Sequence, residues 1–101
     1  MDLAKQMQLA LTIVLALLVI VYGAFWKFAR DEVYFLCGNF HIGVSERSVL
    51  RQLDTAELSR YSIVPTDTGS TITFSSPINF SFYQCVINLD VHGQVKQAQF
   101  I

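Results

Sequence analysis

The side chains best suited to chemistry in this 101-residue chain are two cysteines, Cys37 and Cys85, and two histidines, His41 and His92. A thiol beside an imidazole can form an activated nucleophile. No motif brings the two types together here, and neither histidine has a ligand partner at metal spacing: the sequence contains no C-x-x-C and no H-x-x-x-H. His92 falls in a turn and is expected in solvent. His41 flanks a helix start and is expected to be partly buried. The carboxylates Asp31, Glu32, Glu46, Asp54, Glu57, Asp67 and Asp90 are scattered. Most fall at helix starts, turns or a membrane flank, where structural roles account for them. No glycine-rich phosphate loop follows a strand. The expectation is a protein that is not an enzyme, with no cofactor, no metal and no small-molecule substrate.

The cysteines carry a different message. Two in an extracytoplasmic domain read as one disulfide. Such a bond would close a loop of nearly fifty residues and, by the chain-entropy model, stabilise the fold by about 4 kcal/mol. The alternative is two buried free thiols behaving as small hydrophobes.

A third feature is the segment Ile78, Asn79, Phe80, Ser81, Phe82, Tyr83, which concentrates large apolar and aromatic groups. It reads either as a strand facing the core or as an aromatic patch or open edge that docks a partner. On the second reading Ile78, Phe80, Phe82 and Tyr83 are the candidate partner-binding residues. Asn79-Phe80-Ser81 also fits a glycosylation sequon, relevant only in a eukaryotic secretory pathway.

The element that must position all of this lies N-terminal. Between Lys5 and Lys27 there is no charged side chain. At about 1.5 Å per residue, roughly 20 such residues cross a hydrocarbon core of about 30 Å. The run is apolar all round, which argues against a helix lying flat on a surface. Residues 1–8 read as a short tail and 9–28 as the transmembrane helix. Tyr22 and Trp26 suit the headgroup level, with Lys27 and Arg30 as snorkelling anchors. A cleaved signal peptide is the alternative. The apolar run exceeds the usual h-region of about 7–15 residues, and the best small-residue site, before Ala24, is poor. Lys and Arg are balanced across the span, so the positive-inside rule does not decide the orientation. The cysteines favour a cytoplasmic N-terminus and a periplasmic C-terminal domain in the inner membrane.

A net charge of −1 with no basic stripe gives no reason to expect nucleic acid. The hydrophobic share of 52% is inflated by the anchor. Residues 29–41 read as a connector, helical to about Val33 and extended over Tyr34–Cys37. Residues 42–101 read as a small domain. Ser45 is a good N-cap, with Glu46 in the first turn, Val44 and Val49 placed for a hydrophobic staple, and Val49, Leu50 and Leu53 forming one apolar stripe. The helix is expected to end near Asp54 or to restart through Leu58. Strands are expected at Tyr61–Val64, stopped by Pro65; at Ser70–Phe74, with Ile72 and Phe74 on one face; at Ile78–Leu89, with a change of parity that suggests a bulge near Tyr83–Gln84; and at Val95–Ile101. The fold class is α+β: an N-terminal transmembrane helix, then one or two short helices on a three- to four-stranded antiparallel sheet.

Two stretches bear a family resemblance. Ile42-Gly43-Val44-Ser45-Glu46-Arg47-Ser48-Val49-Leu50-Arg51-Gln52-Leu53 resembles the G-M-S/T-x-x-x-V-x-x-x-L opening of BamE/OmlA (SmpA)-like domains. Val86-Ile87-Asn88-Leu89-Asp90-Val91-His92-Gly93-Gln94-Val95 resembles their closing hairpin. The resemblance implies a periplasmic α+β module that binds other envelope proteins. Asp54 stands where the family commonly has Gly, the usual Pro soon after is absent, and a transmembrane helix replaces the lipid anchor.

These readings together predict a single-pass, membrane-anchored extracytoplasmic protein-binding module acting in envelope assembly or regulation. Its partners would be membrane lipid and one or more envelope or membrane proteins. Two other readings stay open. One is a small accessory subunit of a membrane complex that uses its helix as the interface, with Ala10, Ala16, Gly23 and Ala24 admitting close packing. The other is an inhibitor or immunity protein against a toxin.

Overall fold

A computed structural model describes residues 2–101. It holds two α-helices, α1 (Leu3–Cys37) and α2 (Glu46–Leu53), and four strands: β1 (Arg60–Thr66), β2 (Gly69–Ser75), β3 (Gln84–Leu89) and β4 (Val95–Phe100). The strands form one antiparallel sheet in the order β1-β2-β3-β4. The fold is therefore α+β.

Helix α1 is far longer than the apolar run alone requires. Asp2 caps it, its side chain accepting from the Lys5 N–H at 2.8 Å. From Leu9 to Phe25 every residue is exposed. Beyond that point one stripe turns inward: Ala29, Val33 and Cys37 are buried, spaced four residues apart and so on one face. This stripe packs on the sheet. The stretch Tyr34–Cys37, expected to be extended, is helical because that buried face continues through it. The helix ends at Gly38, whose N–H reaches the Tyr34 carbonyl at 3.1 Å.

Helix α2 starts as its sequence predicts. Ser45 Oγ accepts from the Ser48 N–H at 3.2 Å, and Val49 and Leu53 are buried. Arg47 and Arg51 face solvent. The residues before α2 bond to the start of β4: Gly43 N–H to the Val95 carbonyl, and Val95 N–H to the Val44 carbonyl, both at 2.8 Å. The helix does not restart beyond Leu53.

The sheet has one apolar face and one polar face. Ile72 and Phe74 of β2 face Ile87 and Cys85 of β3, and Leu89 faces Val95 of β4. All six are buried, under α1 and α2 with Val33, Phe40, Val49 and Leu53. Thr71, Thr73, Asn88, Gln97 and Gln99 occupy the alternate positions. Antiparallel sheets allow one solvated face. Strand β1 runs through Pro65 rather than stopping at it. As an edge strand it tolerates a residue without an N–H.

The largest departure from the sequence reading is at residues 76–83. No strand begins at Ile78. Ser76 caps a 3₁₀ turn over Pro77–Asn79, and β3 begins only at Gln84. Phe80 and Ser81 then adopt left-handed backbone, at φ 55° and 58°. The parity change comes from this turn, not from a bulge near Tyr83–Gln84. The register irregularity in the sheet lies at Asn88/Leu89 instead.

Candidate functional site: the junction of helix and sheet

Chemistry-bearing residues do not converge. Cys37 and Cys85 are joined, their sulfurs 2.12 Å apart, which leaves no free thiol among the described residues. A Cys–His nucleophile cannot form in this bonded state. His41 and His92 are both exposed, so His41 is not the half-buried polar group expected. Among the described residues no group of three His, Cys, Asp or Glu side chains could hold a metal ion. Asn79, the first residue of the sequon, is fully buried in the folded chain.

Three polar clusters have structural roles. The Asp90 side chain accepts from the Gln94 N–H at 3.0 Å and the His92 N–H at 2.9 Å. The Gln94 contact first, then the His92 contact and the nearby His92 and Lys96 charges, hold its carboxyl below the ordinary range, against a smaller opposing effect of desolvation. Tyr61 donates to Asp54 at 2.8 Å, and that bond chiefly pushes its hydroxyl up. Glu32 of α1 accepts from the Glu57 and Leu58 N–H groups at 3.3 and 3.2 Å, tying the helix to the chain between α2 and β1.

The aromatic residues do converge, at the foot of the domain. Tyr22 Oη donates to the Ile78 carbonyl at 2.7 Å. The Trp26 ring lies 6.3 Å from Phe82 and 6.2 Å from Tyr83. Tyr83 stacks on Phe100 at 6.0 Å, nearly coplanar. Arg30 sits over Tyr83, Tyr34 and Phe100 at 5.4–5.8 Å, cation–π distances, and pairs with Asp31 at 3.3 Å. Lys27 lies 3.8 Å from the same carboxylate and is largely exposed. The sequence separated these residues into two groups, helix anchors and patch residues. The structure joins them into one surface. Tyr83 is half-buried within it, whereas Phe80 and Phe82 project outward at 81% and 69% exposure. A core-facing strand is thereby excluded for these two side chains.

No family model, no curated protein and no solved structure matches the chain.

A second exposed region lies at the opposite edge of the sheet. In β1, Ile63 pairs with the buried Ile72, yet it is 40% exposed because the helical layer stops short of it. Val64, on the other face, is 58% exposed. Among the described residues, the outer edge of β1 bonds to no other strand. Sequence reading missed this edge. Its signal was the Pro65 that marks an edge strand.

Proposed function

We propose that the protein is a single-pass, membrane-anchored extracytoplasmic module that binds another envelope protein. Helix α1 is long and apolar enough to cross a membrane once, near the N-terminus. It runs without a break past Gly23 into the domain's own core through Ala29, Val33 and Cys37. This continuity supports an anchor that stays attached to the domain. It confines the domain to the membrane surface and raises its local concentration for partners there. The Cys37–Cys85 bond suits an oxidising compartment, which supports a periplasmic C-terminal domain and a cytoplasmic N-terminus.

The observation that carries the binding role is the open β1 edge, with Ile63 and Val64 uncovered on opposite faces. Such an edge accepts a partner strand, main-chain bonds giving affinity and alternate side chains giving specificity. The chemistry it fits is an extended segment with β-branched or aromatic residues. The resemblance of residues 42–53 and 86–95 to BamE-like modules agrees with an envelope setting.

The test is site-specific photocrosslinking in intact cells, with the probe at Ile63 or Val64 and a control at Gln99 on the sheet's polar face. One defined envelope protein joined from both β1 positions and not from Gln99 supports the reading. Equal, unspecific products from all three positions would remove it. An enzymatic reporter fused after Ile101 decides the orientation separately.

A further inference from the structure

We propose that the loop Ser76–Tyr83 is a second membrane contact, which inserts Phe80 and Phe82 into the interfacial layer of the bilayer that α1 spans. The inference rests on α1 being that span.

The depth of the loop follows from its bonds to the helix. Within the uncharged run Gln6–Trp26, the stretch from Met7 supplies roughly 20 residues and about 30 Å, the length a bilayer core requires. Little of it is spare. Tyr22 lies within that run, a full turn before Trp26, and its hydroxyl holds the Ile78 carbonyl. Trp26, at the end of the run, touches Phe82 and Tyr83. Raising the loop clear of the membrane would lift Tyr22 with it and leave a span of only about 22 Å. The loop is therefore held at the level where aromatic rings favour the headgroup boundary.

The loop is also built for a place poor in water. No residue from Gly69 to Leu89 is charged. Lipid cannot satisfy free backbone groups, so segments near it must satisfy their own. Here Ile78 N–H donates to Ser76 Oγ at 3.2 Å. Phe80, Ser81 and Phe82 donate to the carbonyls of Pro77, Ser76 and Asn79 at 2.9–3.1 Å. Ser76 Oγ in turn donates to the Leu58 carbonyl, pinning the turn to the domain. The left-handed backbone at Phe80 is uncommon for a bulky residue. It directs the ring away from the sheet. The open groove between helix and loop, lined by Tyr22, Phe25, Pro77, Ile78 and Phe80, is apolar. A membrane patch continuous with a spanning helix accounts for these features, though not for the buried Asn79 side-chain amide, which has no hydrogen-bond partner. A protein partner at the same place would have to displace lipid first.

The test uses the chain's single tryptophan. In a Trp26→Phe background, one indole at a time is introduced by Phe80→Trp, Phe82→Trp, Leu15→Trp or Val91→Trp. The full chain is reconstituted in phosphatidylcholine vesicles brominated near the headgroup or near the chain ends. Val91 lies in the hairpin after β3, whose start is bonded to Cys37, about 16 Å further along α1 than Trp26. The expected result is loss of emission from both loop indoles, larger with the shallow bromines, together with protection from aqueous acrylamide. The Leu15→Trp indole should be quenched by the deep bromines and the Val91→Trp indole by neither. If Leu15→Trp is quenched while both loop indoles stay bright and open to acrylamide, the anchor stands and the loop proposal falls. Equal quenching of Val91→Trp would also overturn it, since the contact would not belong to the loop. An unquenched Leu15→Trp indole would remove the span and the loop contact together. Formation of the Cys37–Cys85 bridge in each variant reports that it has folded.

Discussion

Cys37 is the last residue of α1 and Cys85 the second of β3, and the bond between them joins the long apolar helix to the centre of the sheet. Both side chains lie in the core, beside Val33 and Phe74. The helix is thus a structural layer of the domain as well as its tether. Its N-terminal part presents apolar side chains on every side, and its C-terminal part presents a single buried stripe.

That bond gives the first prediction. A thiol-reactive mass tag should leave the denatured wild-type protein unlabelled and add two tags after reduction. Cys85→Ser should lower the unfolding free energy of the full chain in detergent by about 2–4 kcal/mol, since the bridge restrains a long loop of the unfolded chain. Labelling without reductant would refute the bridge.

Two phenylalanines should behave oppositely although both lie in apolar, alternating sequence. Phe74 is fully buried between β3 and the helices. Phe74→Ala should cost about 3–5 kcal/mol, the transfer free energy plus a cavity. Phe80 is mostly exposed. In detergent, Phe80→Ala should change stability by no more than about 0.5 kcal/mol. Chemical denaturation of the two variants checks the contrast.

The same pair shows what was legible in the sequence. Ile72 and Phe74 alternate with threonines, and the strand they predict is there. Ile78, Phe80 and Phe82 alternate just as cleanly and form no strand. Periodicity records an alternation of apolar residues, not whether the backbone that carries them is extended. Ser76-Pro77 was the better guide, since it caps and starts a 3₁₀ turn. The α2 cap was readable because Ser45 acts locally. The extension of α1 to Cys37 was also written in the spacing of Ala29, Val33 and Cys37, and Gly38 correctly marked its end, but reading Tyr34–Cys37 as extended drew the boundary too early. The meeting of Tyr22 with Ile78 depends on tertiary packing across fifty-six residues, and no local pattern encodes it.

Gly69 closes the β1–β2 turn at φ +143°, where a Cβ would collide with the Leu89 carbonyl oxygen. That oxygen belongs to the neighbouring strand's backbone and has little freedom to move. Gly69→Ala should therefore destabilise the chain by more than about 1 kcal/mol, from the backbone conformation and the collision together. Gly23→Ala is the control, because its Cβ would meet nothing within 4 Å. Thermal unfolding of both variants in the same detergent measures the difference.

Asp90 sets an acid limit on the closing hairpin. Its folded carboxyl is held below the ordinary range, first by the Gln94 N–H. A group lowered by folding adds stability that is fully present above its unfolded pKa, ordinarily near 4, and is lost as pH falls through the lower folded value. Asp90→Asn keeps an acceptor oxygen but not the charge. Wild type should be the more stable of the two near neutral pH, and the gap should close below about pH 4. Unfolding midpoints across that range give the test, and a constant gap would rule the linkage out.

The contact between Tyr22 and Ile78 yields the sharpest structural test of the junction. The tyrosine hydroxyl donates to the Ile78 carbonyl at 2.7 Å, across a surface where few other donors are at hand. Tyr22→Phe removes one oxygen and keeps the ring. A hydrogen bond of this kind contributes about 1 kcal/mol net, and its loss leaves the carbonyl unpaired. The consequence should be local, because the buried core of Ile72, Phe74 and Ile87 does not touch the deleted atom. Amide hydrogen exchange of the reconstituted chain should therefore quicken over residues 76–83 in Tyr22→Phe while β2 and β3 keep their protection. Unchanged exchange in the loop would show that Ser76 and the aromatic packing on Trp26 hold it without the tyrosine.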